Sequence, residues 1–132
     1  MKAVDRFTAL APGILGVARI LVGVMFACHG AQKLFGVLGS ERMIHVPLML
    51  TAGIIEFFGG LLIALGMLTA IAAFIASGEM ATGYFLGHAP HGFWPIRNHG
   101  ELAVLFCFVF LFIASRGDGA WSLRSFMKGR QF

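Results

Sequence analysis

Apolar residues fill four stretches of the chain, and a bilayer-crossing helix needs about 20 of them in sequence. The first covers 14–35 and is interrupted by Arg19 and His29. The second, 48–66, is interrupted by Glu56, and the third, 68–86, carries Glu79. The fourth covers 99–115, and within it 102–114 has no polar side chain except Cys107. None of the four alternates with a period of two, and all exceed strand length, so they read as helices. Lipid imposes the same choice, because a helix satisfies every backbone N–H and C=O within itself. The pattern predicts an all-α, integral membrane four-helix bundle in one domain, 1–132. Arg19 falls inside the first run, where a cleaved signal peptide would have an uncharged core, so that helix is read as a retained span.

The connections carry their own signals. Gly66 to Thr69 reads as a tight turn, with Thr69 as N-cap of the third helix. Pro47, at the end of the 36–47 loop, suits the first turn of the second helix. The 87–98 loop is rich in Gly, Pro and His and holds Phe93 and Trp94, an interfacial aromatic pair. Asn98 and Glu101 have the N-x-x-E spacing of a capping box. No internal repeat, low-complexity tract or linker interrupts the chain.

Composition agrees with lipid as the solvent. The 132 residues are 58% hydrophobic and 12% charged, against about 45–50% and about 25% in ordinary globular domains. Mean hydropathy is +0.86. A chain this short has too little interior to bury so much apolar surface in water. Disordered, collagen-like and disulfide-knotted classes are excluded on the same grounds. The net charge of +4 forms no continuous stripe, so it does not point to nucleic acid. It reads as a topology signal instead. Lys2, Arg6, Arg116, Arg124, Lys128 and Arg130 fall on one side of a four-span bundle, and Lys33, Arg42 and Arg97 on the other. The excess predicts both termini in the cytoplasm, with the 36–47 and 87–98 loops facing outward.

Charges inside spans are costly, about 2.5–3.5 kcal/mol each at the bilayer centre on insertion scales, and mark candidate sites. At about 1.5 Å per residue, His29, Glu56 and Glu79 all fall roughly 9–12 Å below the outer face, with Cys28 and Cys107 at similar depth. Gln32, Lys33 and Glu101 lie shallower, and Arg19 lies within snorkelling reach of the cytoplasmic surface. On helical wheels Glu56 shares a face with Ala52, Gly53, Gly59 and Gly60, and Glu79 shares one with Ala72, Ala76 and Gly83. Small residues mark helix contacts in lipid, so both carboxyls are expected to point into the bundle. The expected site is a polar pocket in the outer half. Glu56, Glu79 and His29 are its candidate catalytic groups, and Gln32, Lys33 and Glu101 its candidate cofactor-binding groups. Two carboxyls close together in low dielectric suit proton exchange.

Plainer readings stand beside this one. Glu56 and Glu79 would serve as structural groups paired with Lys33 or bonded to backbone. Glu101 would serve in the capping box, His29 as a core histidine donating to a carbonyl, and the cysteines as small apolar residues. His88, His91 and His99 have no cysteine or carboxylate partners, so no metal site is expected. Only His29 lies deep in a span, so no haem is expected either. GxGxxG, Walker A and nucleophile-elbow motifs are absent, and no nucleotide is expected.

The segments Ala18-Arg19 and Gly30-Ala31-Gln32-Lys33-Leu34-Phe35-Gly36 resemble the first helix of DoxX-family membrane proteins. Glu56…Gly59-Gly60, with Leu62 and Gly66, is similar to the family's second helix. His88-Ala89-Pro90-His91-Gly92-Phe93-Trp94-Pro95 and Asn98-His99-Gly100-Glu101-Leu102-Ala103 resemble its third loop and fourth helix. The resemblance covers roughly 14–124. One departure is Arg124 after Ser122-Leu123, where the family usually has Asp. The family is named after a subunit of a thiosulfate:quinone oxidoreductase. The resemblance therefore implies a bacterial inner-membrane subunit of a redox system, quinone-linked or related to thiols and sulfur, with quinone as the cofactor. A non-catalytic scaffold of a redox complex is the alternative, and a small proton-coupled transporter a more distant one. The expected partners are the lipid bilayer and either protein subunits or further copies of the chain.

Overall fold

The computed structural model describes residues 2–129; Arg130, counted above, lies outside the described residues. Helices form α1 (Lys2–Thr8), α2 (Ala11–Phe35), α3 (Pro47–Leu65), α4 (Thr69–Gly83), α5 (Pro95–Asn98), α6 (Glu101–Arg116) and α7 (Leu123–Lys128). No strand occurs among the described residues. The chain stays helical past α4, through a wide π-turn, Tyr84–His88, and a 3₁₀ turn, Ala89–His91. Three segments are long and apolar enough to cross a membrane: Lys2–Phe35, Pro47–Leu65 and Thr69–His91. α6 has 16 residues, about 24 Å at 1.5 Å per residue.

The helix limits follow local chemistry. Pro12 lies in the first turn of α2 and Pro47 opens α3, where a missing N–H costs nothing. Gly36 and Gly66 end α2 and α3 at φ 64° and 71°, a left-handed conformation that glycine adopts without strain. Thr69 is not the N-cap of α4. Leu68 takes that place at φ 50°, and the Thr69 amide donates to Asp118 Oδ1 at 3.1 Å. The capping box at Asn98 and Glu101 does not form either: α6 starts one residue after Gly100 without a side-chain cap. Asn98 instead closes the loop before it. Its Oδ1 accepts from the Gly100 amide at 2.8 Å, and its Nδ2 donates to Gly92 O and to the Tyr84 hydroxyl. That hydroxyl in turn donates to Phe93 O.

α2 lies along α3, α4 along α6, and α3 beside α4. Glycines let the first pair approach. Gly23 and Gly60 face each other so closely that a Cβ on Gly60 would stand 2.5 Å from Ala27 N and 2.6 Å from Gly23 O. A Cβ on Gly30 would collide with the Phe57 backbone. Small residues thus set this seam, as lipid-embedded helices require. Gly59 and Gly83, expected on contact faces, have nothing within 4 Å of a Cβ and sit outside the packed seams. Where α2, α3, α4 and α6 meet, Phe26, Ile63, Ala73, Ala76, Phe106 and Phe110 form the core. Phe110 meets Phe26 edge-on at 4.6 Å and stacks on Phe106 at 5.4 Å. Residues such as Leu21, Phe74, Leu105 and Phe108 remain exposed and form the lipid-facing surface.

Arg19 does not snorkel. It is 2% exposed, and its guanidinium donates to four carbonyls: Ile63 at 2.6 Å, Ala64 at 2.7 Å, Ala120 at 3.1 Å and Trp121 at 3.0 Å. The first two are carbonyls of the last turn of α3: Ile63 O also accepts from the Gly66 amide at 3.2 Å, whereas the helix leaves Ala64 O without a backbone partner. The other two belong to the connector between α6 and α7. Arg19 therefore ties α2 to the end of α3 and to a segment a hundred residues away.

Candidate functional site

Glu56 lies halfway along α3, nine residues from either end of Pro47–Leu65, or about 14 Å at helical rise. Lys33, in the last turn of α2, reaches down to it. Its Nζ stands 2.5 Å from Oε1 and 2.6 Å from Oε2. The side chains are 22% and 3% exposed, respectively. The carboxylate is thus held by both oxygens, in the charge-assisted geometry that makes such bonds short and strong. Gly53 sits against Lys33 and Leu34, which leaves space for the lysine stem to run along α3.

The pair opens on a cavity of about 210 Å³ between α2, α4 and α6. Phe26, His29, Met80, Leu102, Ala103 and Phe106 form much of its wall, together with His88 and His99. His29 meets Phe106 edge-on at 6.1 Å. His88 lies in the π-turn, with Nδ1 3.1 Å from Asn98 O and its ring stacked on Tyr84. A carbonyl only accepts, so Nδ1 of His88 carries the proton. The left-handed turn at His99, φ 59°, brings the loop across one end of the cavity. The structure therefore gathers His29, Lys33 and Glu56 and adds two histidines from the loop. Among the described residues no three His, Cys, Asp or Glu side chains are grouped to hold a metal ion.

The other three candidates stand elsewhere. Gln32, one residue and about 100° around the helix from Lys33, donates to Leu38 O at 3.1 Å and belongs to the loop. Glu101 is exposed at the start of α6. Glu79 lines a separate groove between α3 and α4, although it remains within electrostatic range of Glu56 and Lys33. The two carboxyls thus do not share one hollow. Both cysteines are free. Cys28 is exposed on α2, whereas Cys107 is half-buried beside Ser77 on α4, whose hydroxyl donates to the Cys107 carbonyl at 2.8 Å. His88 and His99 were legible in the sequence only as failed metal ligands, because nothing in the spacing shows that the π-turn folds His88 back over the helices.

At the opposite end, Asp118 receives the Thr69 amide and the Arg124 guanidinium, at 3.1 and 3.2 Å. Partial burial pushes its carboxyl up, but hydrogen bonding by Thr69 and Arg124 outweighs burial and holds it below its ordinary value.

The fold and site define a helical membrane protein with an ion pair at mid-span beside a small, partly aromatic cavity. The chain belongs to the DoxX family, whose model matches residues 14–89. The match includes His29, Lys33, Glu56, Glu79 and His88 and stops before α6. The chain is also similar to an uncharacterized protein of Haemophilus influenzae, with 42% identity over 119 residues, covering 85% of this chain and 89% of that protein. No solved structure matches it significantly.

Proposed function

We propose that the protein is a membrane subunit of a quinone-linked redox system in a bacterial inner membrane, with α6 as its fourth span and both termini cytoplasmic. The observation that carries this reading is the Lys33–Glu56 pair at the wall of a cavity built otherwise from aromatic, aliphatic and histidine side chains. The residues suit a quinone head group. At about 210 Å³ the cavity is smaller than the roughly 300–1,000 Å³ of sites that enclose a drug-sized ligand, so it takes a ring rather than a ring with its tail. Phe26 and Phe106 supply apolar walls, while Lys33 Nζ, with three donors, is the group suited to an oxygen of the ring. A bound quinone would supply two-electron, two-proton chemistry. Glu56 holds or releases a proton beside it, and His88, with Nδ1 committed to Asn98, keeps Nε2 as an acceptor. Proton exchange by positioned groups is the ordinary contribution of such side chains. The orientation rests on Lys2, Arg6, Arg116, Arg124 and Lys128 at one end.

The test is purification in mild detergent, followed by solvent extraction and mass spectrometry of lipophilic cofactors and co-purifying proteins. Quinone retained by the wild type and lost at least tenfold in Glu56→Gln supports the reading. Wild-type protein that retains no quinone overturns it. Protein partners retained without quinone would instead favour a non-catalytic assembly subunit.

A further inference from the structure

The groove between α3 and α4 is a second cavity, about 570 Å³, distinct from the one beside Lys33 and Glu56. Its walls are aliphatic, including Leu48, Met49, Ile55, Ile75 and Leu86, and its one charged side chain is Glu79. No hydrogen bond or ion pair from another described residue reaches the Glu79 carboxyl, and its Oε2 is buried without a partner. Such a group is costly in an apolar wall. The two hydroxyls of the groove do not serve it. Thr51 Oγ1 donates to Pro47 O and Thr82 Oγ1 to Gly78 O, each at 2.9 Å. With those protons spent on backbone and Glu79 ionised, every polar side-chain atom facing the groove is an acceptor. The Lys33–Glu56 pair nearby carries no net charge, so an occupant meets the Glu79 charge alone. Gly83 and Gly87 leave open space at the groove, and Gly78 is equally open one residue from Glu79.

We propose that this groove is a lipid-accessible binding site for an apolar molecule bearing an amine, held as an ammonium–carboxylate pair with Glu79. The proton balance closes in either direction. A neutral amine arriving through the bilayer takes the proton of a protonated Glu79, and an ammonium ion pairs with the ionised carboxylate directly. Glu79 is ten residues from Thr69, about 15 Å at helical rise, but only four from Gly83, where α4 gives way to the π-turn. An aminophospholipid carries the same ammonium, and the experiment separates it from a small molecule. The proposal is independent of the quinone reading, which uses the other cavity.

The experiment measures binding of three isosteric fluorescent probes to the protein in phosphatidylcholine nanodiscs, with empty nanodiscs subtracted. The probes are anthracenyl-methylamine, anthracenyl-methanol and anthracene-carboxylic acid. The wild type is expected to bind the amine at least tenfold tighter than either isostere. Glu79→Gln is expected to abolish that preference while leaving the alcohol within about twofold. Equal binding of amine and alcohol by the wild type would overturn the proposal, and this arm holds even if Glu79→Gln does not fold. A preference that survives in a folded Glu79→Gln would overturn it as well, because the amine would then sit elsewhere. Saturation by phosphatidylethanolamine in place of phosphatidylcholine, with loss of probe binding, would assign the site to lipid and reject a small-molecule occupant.

Discussion

Breaking the Lys33–Glu56 pair from either side should have unequal consequences. In Lys33→Met, Glu56 stays at the middle of α3, 2% exposed, with neither of its two bonds. Removing one partner of a buried pair costs about 3–5 kcal/mol, and mid-span Glu56 has no short path to water. Glu56→Met is milder. Lys33 is two residues from the end of α2 and 22% exposed, so its long stem can carry the ammonium to water at that end. The loss is then the bond itself, about 1.5–3 kcal/mol for a hydrogen bond to a charged group. The double variant replaces both charges by apolar groups of similar volume and should approach wild-type stability. The double-mutant cycle should therefore give a coupling of at least about 2 kcal/mol. Equilibrium unfolding in mixed micelles, followed by circular dichroism, measures all three. The reasoning fails if Glu56→Met costs as much as Lys33→Met, or if the double variant is no better than the worse single one.

Three further outcomes follow from the packing. Gly60→Ala should lower stability by about 1–3 kcal/mol, the usual cost of overpacking, because its Cβ meets backbone of α2; Gly59→Ala, with open space around it, should be neutral or gain up to about 1 kcal/mol, both read by thermal unfolding in detergent. Arg19→Leu should leave the Ala64, Ala120 and Trp121 carbonyls unpaired at about 1–3 kcal/mol each and release the 118–129 segment to carboxypeptidase digestion, and Arg19→Lys should only partly restore protection because an ammonium cannot fork across four acceptors. Asp118 is held below its ordinary value of 3.8, so folding favours its ionised form. Its stabilisation is complete above about pH 4 and fades as pH falls through the lower folded value, and a thermal-midpoint series at acid pH should lose that slope in Asp118→Asn.

Hydropathy made the helices readable because lipid-facing positions need only be apolar, and α3 begins at Pro47 as its sequence signals. Partners were less legible. Arg19 looks like a snorkelling anchor because its four acceptors are backbone carbonyls, which leave no trace in side-chain identity. Asn98 looks like a cap for the same reason: its acceptors and donors are loop atoms fixed only by the fold. Glu56 was placed correctly inward, since Gly53 and Gly60 flank it on the packed face. A wheel could not tell that Gly59 and Gly83 lie at the margins of their small-residue faces. Glu79 and Met80 show the limit most plainly, because adjacent residues on α4 line two different cavities. The seven-residue spacing of Gly23 and Gly30, which both meet α3, was the signal in the sequence for a close seam, whereas Gly16, seven residues earlier, meets Ala120 of the connector instead.

Arg19 also bears on how the polypeptide matures. Two of its acceptors, Ala120 and Trp121, are synthesised 101 and 102 residues later. When α2 leaves the insertion machinery, its guanidinium has no permanent partners there and must keep water or lipid phosphate as temporary company. Dehydration of that end is therefore among the last events of biogenesis. A polypeptide interrupted before residue 120 would lack two of the four acceptors and would retain a wet cleft there.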